Sequence, residues 1–168
     1  MSSRPPPRKA ARNTGKSLPD GSDSLDLEGY VPYLLNQAHR GVLRAFEPAL
    51  APHGLNLAEW RVLAVLAHRG RLRVGDLALA TGLEPPTLVR VLAGLESRGR
   101  VRRRPSATDR RATDVEASAA GRAAARAIVP LARRVEAEAL AGLTADEAEF
   151  LRRLLRRLVP AAMQPESP

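Results

Sequence analysis

The twenty residues Arg98 to Ala117, RGRVRRRPSATDRRATDVEA, decide the fold of this chain. Gly99 ends whatever helix precedes it, and two short runs, Arg100 to Arg104 and Ala112 to Ala117, flank Pro105-Ser106-Ala107-Thr108-Asp109-Arg110-Arg111. That pattern is a β-hairpin with a long, charged tip. Between Arg98 and Arg111 stand seven arginines (98, 100, 102, 103, 104, 110 and 111) and one acid, Asp109, which places +6 of the chain's net +9 in fourteen residues. Codon bias can make a chain arginine-rich, and here only Lys9 and Lys16 interrupt the arginines. Spread evenly over 168 positions, however, 25 arginines put about 2 in such a window. The excess is positional, and guanidinium forks suit phosphates and narrow minor grooves. The competing reading is a solvated charged face.

Upstream of the hairpin the pattern is helical. Gly75 to Leu83 reads as a short helix closed by Gly82, and Pro85-Pro86 open another whose buried face is Leu88, Val91, Leu92 and Leu95. Arg71-Leu72-Arg73-Val74 is too short for a helix and reads as a small strand. Asn56-Leu57-Ala58-Glu59 is a capping box that opens a helix from Leu57 to His68, with Trp60, Leu63, Ala64 and Ala67 on one face, widened by Val62, Val65 and Leu66. An apolar stripe from Leu27 through Val31, Leu34, Leu35, Ala38, Val42, Leu43 and Phe46 to Leu50 predicts a helix ending near Pro52-His53-Gly54. Residues 1–26 hold almost nothing apolar and read as a disordered basic tail.

Downstream, Ser118 caps a long helix to about Ala141, which Pro130 is expected to kink or interrupt. Thr144-Ala145-Asp146-Glu147 is a second capping box, opening a final helix with Phe150, Leu151, Leu154, Leu155 and Leu158 on its apolar side. Strand, helix, glycine turn, helix and hairpin is the layout of a winged helix-turn-helix, whose second helix enters the major groove. The expected fold is therefore mainly α with a small β-hairpin wing. Residues 56–117 form the winged unit, 27–55 an N-terminal and 118–163 a C-terminal dimerisation segment, and 164–168 are disordered. The flanking helices cannot bury their stripes on so small a centre, which calls for a homodimer.

Composition narrows the partners. Aromatics make up only 3% of the chain, too few for a base-stacking platform on single strands. With no cysteine, disulfide scaffolds, cysteine zinc sites and thiol sensing are excluded. No 18-residue apolar run or signal-peptide pattern stands in the sequence, so the expectation is a cytoplasmic protein without a membrane partner. His39, His53 and His68 are spaced unlike metal ligands, and no phosphate-binding glycine loop, nucleophile elbow or HExxH pattern occurs. Neither an enzyme nor a cofactor is expected.

The sequence resembles the MarR family of transcriptional regulators over about residues 28 to 163. The carriers are Leu57-Ala58-Glu59-Trp60-Arg61-Val62-Leu63, Asp76-Leu77-Ala78, Thr87-Leu88-Val89-Arg90-Val91-Leu92, Leu95-Glu96-Ser97-Arg98-Gly99, and Asp109-Arg110-Arg111 followed by Ala117-Ser118-Ala119-Ala120-Gly121. The last element is similar to the family's wing signature, an Asp-x-Arg leading into Leu-Thr and then Gly. The resemblance implies that Arg111 reaches into the minor groove from the wing tip, with Asp109 holding its guanidinium. It also implies that Thr87, Val89 and Arg90 face the major groove, Arg90 toward a guanine edge and Val89 toward a thymine methyl. For Thr87 a phosphate contact at the helix start is the equal alternative. Arg104 and Arg110 complete the DNA-binding set from within the charged window. Two positions depart from the family: Ala93-Gly94 replace a usual Asp-Arg, and Val89 stands where Thr or Ser is commoner. Both shift readout from hydrogen bonds toward shape and phosphate.

Family members commonly release DNA when a small phenolic or anionic compound binds between the dimer helices and the winged unit. By position, Tyr33, Gln37, His39 and Trp60 are the ligand-lining candidates, joined by Asn36 and Arg40. The plainer reading makes Trp60 a core residue and His39 a surface one. The function implied is a sequence-specific regulator, a homodimeric repressor on an inverted-repeat operator in duplex DNA. The alternatives are a non-specific nucleic-acid architectural protein, or a winged helix used for protein contacts.

Overall fold

The computed structural model describes residues 25–106 and 112–158. In chain order its elements are α1 (Val31–Leu50), a single 3-10 turn (Ala51–His53), α2 (Leu57–Arg69), β1 (Leu72–Arg73), α3 (Val74–Thr81), α4 (Pro85–Ser97), β2 (Val101–Pro105), β3 (Thr113–Ala117), α5 (Ala119–Ala139) and α6 (Ala145–Leu158). The strands form one antiparallel sheet in the order β1-β3-β2. Val115 pairs with Leu72 on one side and Arg103 on the other. The result is a winged helix-turn-helix carried between longer helices, the expected class.

Local chemistry sets the element ends. The Glu59 N–H donates to Asn56 Oδ1 at 2.9 Å and the Asn56 N–H to Glu59 Oε2 at 3.1 Å, so both halves of the first capping box form. The second forms as well, with the Glu147 N–H on Thr144 Oγ1 at 3.3 Å and the Thr144 N–H on Glu147 Oε2 at 2.8 Å. Ser118 accepts from the Gly121 N–H at 3.0 Å and starts α5. The core is the joint product of α2, α3, α4 and the sheet: Leu63, Leu77, Leu88, Leu92, Leu95, Val101 and Val115 are all buried, roofed by Ile128 of α5 and by Phe46 and Leu50 from the end of α1.

Several expectations need correction. α1 begins at Val31 because Pro32 fits the first helical turn, where a missing N–H costs nothing, while residues 27–29 form a turn. The face of α2 is rotated: Val62, Leu63 and Leu66 are buried, Trp60 and Ala64 are partly buried and Ala67 is exposed. Val91 is only partly buried. Of the kink or interruption expected at Pro130, the interruption does not occur, since α5 runs through it to Ala139. An internal proline costs a helix about 3 kcal/mol, but Ile128 and Val135, on either side of it, are both buried. Full burial of two such side chains contributes about 1.5 to 3 kcal/mol each, enough to hold the helix together.

Candidate nucleic-acid interface

Thr81 closes α3 by donating its hydroxyl to the Leu77 carbonyl at 2.7 Å, and Gly82 turns the chain in the left-handed region at φ 64. α4 then starts at Pro85-Pro86 with no side-chain cap. The two prolines remove two of the amide donors with which a helix start ordinarily holds a phosphate. Contact along α4 is left to side chains.

With Leu88, Leu92 and Leu95 turned inward, the opposite side of α4 presents Val89, 52% exposed, together with Arg90 and Ala93. Thr87 is half-buried at the first turn. The Arg90 Nε lies 3.4 Å from the Pro86 carbonyl on its own helix, a long bond that leaves the guanidinium displayed. Beside Val89 a groove of about 500 Å³ runs to the wing, lined by Arg73, Val74, Gly75, Asp76, Leu92, Arg103, Ala112 and Thr113. The structure thus brings Thr87, Val89 and Arg90 onto one helix adjoining the hairpin. The Ser106 N–H donates to the Ala112 carbonyl at 3.0 Å and closes the strands. Asp109, Arg110 and Arg111 lie outside the described residues.

Much of the charged window is engaged within the protein. Arg98 is ion-paired with Glu59, and Arg103 with Glu96. Arg100 donates to the Gly54 and His53 carbonyls at 2.9 and 3.2 Å. Arg104 sits 3.8 Å from Glu116, which Arg71 also engages at 3.0 Å. Of the five described arginines in the window, Arg102 alone shows no hydrogen bond or close ion pair among the described residues, although it faces Glu116 across the hairpin and its charge helps to lower that carboxyl. Glu96 and Glu116 are held below the usual carboxylate range, Glu96 mainly by the hydrogen bond from Arg103 and Glu116 mainly by that from Arg71. The charge is therefore partly neutralised by acids outside or at the edge of the window. Arg104, with a 56% exposed side chain and a loose pairing, remains displayed. The Glu116 partnership was within reach of the sequence, since the hairpin sets it opposite Arg102. Arg98 and Glu59, 39 residues apart, offered no local signal.

The ligand candidates divide. Gln37 donates to the Tyr33 hydroxyl at 2.9 Å, so these two share a face one turn apart. His39 is exposed on a different side of the same helix. Trp60 packs edge-on against Phe46, ring centroids 4.7 Å apart. Phe46 lies thirteen residues beyond Tyr33, about 20 Å along a helix. Within one chain Trp60 and Tyr33 therefore stand apart, and Trp60 packs, partly buried, against the core.

Among the described residues no helix is long and apolar enough to cross a membrane. A family model described as MarR family matches residues 53–112. A MarR-family transcriptional regulator from Silicibacter pomeroyi is 30% identical with a TM-score of 0.73, over 84% of this chain and 95% of that one. BpsR of Bordetella bronchiseptica, whose DNA binding is regulated by 6-hydroxynicotinic acid, is 26% identical with a TM-score of 0.70, over 77% of this chain and 98% of that one. A mutant MarR from E. coli complexed with operator DNA is 25% identical with a TM-score of 0.70, over 82% of this chain and 100% of that one. No curated protein matches the chain.

Proposed function

The chain belongs to the MarR family of transcriptional regulators, which are not enzymes, and we propose that it is a cytoplasmic, homodimeric repressor that binds an inverted-repeat operator in duplex DNA. The observation that carries the proposal is the displayed edge of α4, where Val89 and Arg90 stand beside the wing on a helix whose other face is buried. Arg90 reads a guanine edge, Val89 packs on a thymine methyl, and Thr87 holds a phosphate or base at the helix start. Arg104 and Arg110 contact the backbone, while Arg111, steadied by Asp109, enters the minor groove. The operator complex of the E. coli relative supports the same use of the fold. The pairing of Arg98, Arg100 and Arg103 inside the protein weighs against a non-specific architectural role, which would need that charge free.

We propose further that residues 27–55 and 118–163 assemble the dimer and that a small phenolic or anionic compound releases the operator. The named regulation of BpsR by a hydroxylated aromatic acid supports this. Within the candidate ligand set, Tyr33 and Gln37 are the pair to test first.

Footprinting on duplexes selected from a random pool tests the function. Protection should show dyad symmetry with half-site centres about 34 to 36 Å apart, and affinity should fall steeply with salt. Arg90→Ala should relax preference at one base position by about 1 to 3 kcal/mol, whereas Arg111→Ala should weaken all sites alike. An asymmetric footprint, or equal affinity for selected and scrambled duplexes, would overturn the reading.

A further inference from the structure

Residues 99 and 100 form a corner at which four elements meet. The Gly99 N–H donates to the Glu96 carbonyl at 2.9 Å and the Arg100 N–H to the Leu95 carbonyl at 2.8 Å. This paired closure of α4 needs a left-handed residue, and Gly99 supplies it at φ 65. The Arg100 carbonyl accepts from the Ser118 N–H at 3.0 Å, and the Ser118 hydroxyl donates to the Gly99 carbonyl at 2.6 Å. Gly121 presses on the same place, since a Cβ there would stand 2.0 Å from the Arg100 oxygen. The backbone of Arg100 is thus fixed to the end of α4 and the start of α5, with β2 leaving from it.

Its side chain turns away from the α4 edge. Nη1 and Nη2 donate to the carbonyls of Gly54 and His53, at the end of the segment formed by α1 and the 3-10 turn. Carbonyls at a helix end carry partial negative charge, which favours a cation there. The contacts of Phe46 and Leu50 in the core are non-directional and tolerate small rotations. A planar fork with two bonds does not.

We propose that Arg100 is a positioning residue that fixes the angle between α1 and the winged unit. In the dimer it thereby sets the separation at which two copies present α4. The inference rests on the homodimeric operator reading above. Spacing is demanding on B-DNA, because one added base pair moves a half-site by about 3.4 Å and turns it by about a tenth of a revolution.

The chain has no cysteine, so Ala93→Cys on the exposed side of α4 accepts a single spin label per protomer. In the DNA-free dimer the distance between labels is expected to be narrowly distributed. It should broaden in Arg100→Met, which keeps length but loses the donors, and be partly restored in Arg100→Lys. On selected duplexes with the spacer changed by one or two base pairs, Arg100→Met should lose about tenfold on the best spacing and discriminate less among spacings. Its affinity for a single half-site should stay within about threefold, which a general loss of folding or of a DNA contact would not leave intact. An unchanged label distribution, or equal losses on half-site and whole operator, overturns the proposal. If Arg100→Met does not fold, Arg100→Lys carries the test, and wild-type behaviour in both readouts overturns it. A monomer, or a wild-type protein that selects no two-half-site duplex, defeats the functional reading; a normal dimer with unmoved labels defeats this inference alone.

Discussion

The winged unit and the helices that flank it both carry apolar stripes, but only the first closes on itself. In α2, α3, α4 and the sheet the large side chains meet within one chain, and Leu63, Leu77, Leu88 and Leu95 are fully buried. The twenty residues of α1 bury only Phe46 and Leu50, and the fourteen of α6 only Ala148. Val31, Leu34, Leu35 and Val42 on α1, with Phe150, Leu154, Leu155 and Leu158 on α6, stay exposed. Hydrogen-bonded arginines tie elements together in both regions: the winged unit links Arg98, Arg100 and Arg103 to partners on other elements, and Arg152 of α6 reaches Glu136 of α5 at 3.0 Å, so it is the apolar stripes that set the two regions apart. The stability of the winged unit is therefore internal, and that of the flanking helices depends on what covers them. Apolar stripes of this extent mark an interaction surface, and a second copy related by a twofold axis would cover both.

The largest effect should come from breaking that cover. Leu34→Glu combined with Leu154→Glu is expected to convert a dimer to monomers in sedimentation. Operator affinity should fall about 10² to 10⁴-fold, because the second half-site no longer binds intramolecularly. Thermal unfolding of the winged unit should stay cooperative. Unchanged sedimentation would show that these stripes are not the assembly surface.

Next is Gly121→Ala, where the added Cβ meets backbone and cannot be relieved by a rotamer change. A loss of about 3 kcal/mol in denaturant unfolding is expected, at the upper end of overpacking costs. Gly94→Ala is its control inside the winged unit, since that Cβ would meet only the Arg98 guanidinium at 3.6 Å and Glu59 Oε1 at 3.9 Å, ordinary contacts. Helix propensity alone should make it stabilising by about 0.8 to 1 kcal/mol. Between these in size falls Arg98→Met, which strips the buried Glu59 of its guanidinium and should cost about 1.5 to 3 kcal/mol. A cost near zero would mean that water replaces Arg98 and that the link between α2 and α4 does not stabilise the fold.

The features legible in the sequence were those decided within a few residues. Asn56 with Glu59 and Thr144 with Glu147 form their boxes as spaced, and the hairpin pairs as its two runs suggest. What escaped was decided across the fold. The destination of Arg100 depends on where α1 ends, and that of Arg98 on how α2 packs against α4. The continuity of α5 through Pro130 depends on the burial of its neighbours, which no window around the proline reveals. Counting arginines between positions 98 and 111 located the wing correctly and overstated its free charge, because Glu59 and Glu96 lie before the window and Glu116 after it.

The smallest effect separates the two regions by chemistry. Glu96 and Glu116 in the winged unit and Glu147 at the start of α6 all titrate below their ordinary value of 4.5. A carboxylate whose folded value is depressed stabilises the protein above its unfolded value, and the contribution fades as pH falls through the folded one. Stability should therefore be flat from neutrality to about pH 5 as far as these groups are concerned, and decline below it. The causes differ: Arg103 and Arg71 hold the first two, whereas the Thr144 N–H and hydroxyl hold the third. Near 1 M salt the screening length shrinks to about 3 Å, which weakens exposed ion pairs while leaving a short amide bond in place. Carboxyl carbon titrations by NMR should show Glu96 and Glu116 moving up toward 4.5 with added salt and Glu147 moving less. A common shift of all three would mean that the arginine pairings of the winged unit are no more electrostatic than a helix cap.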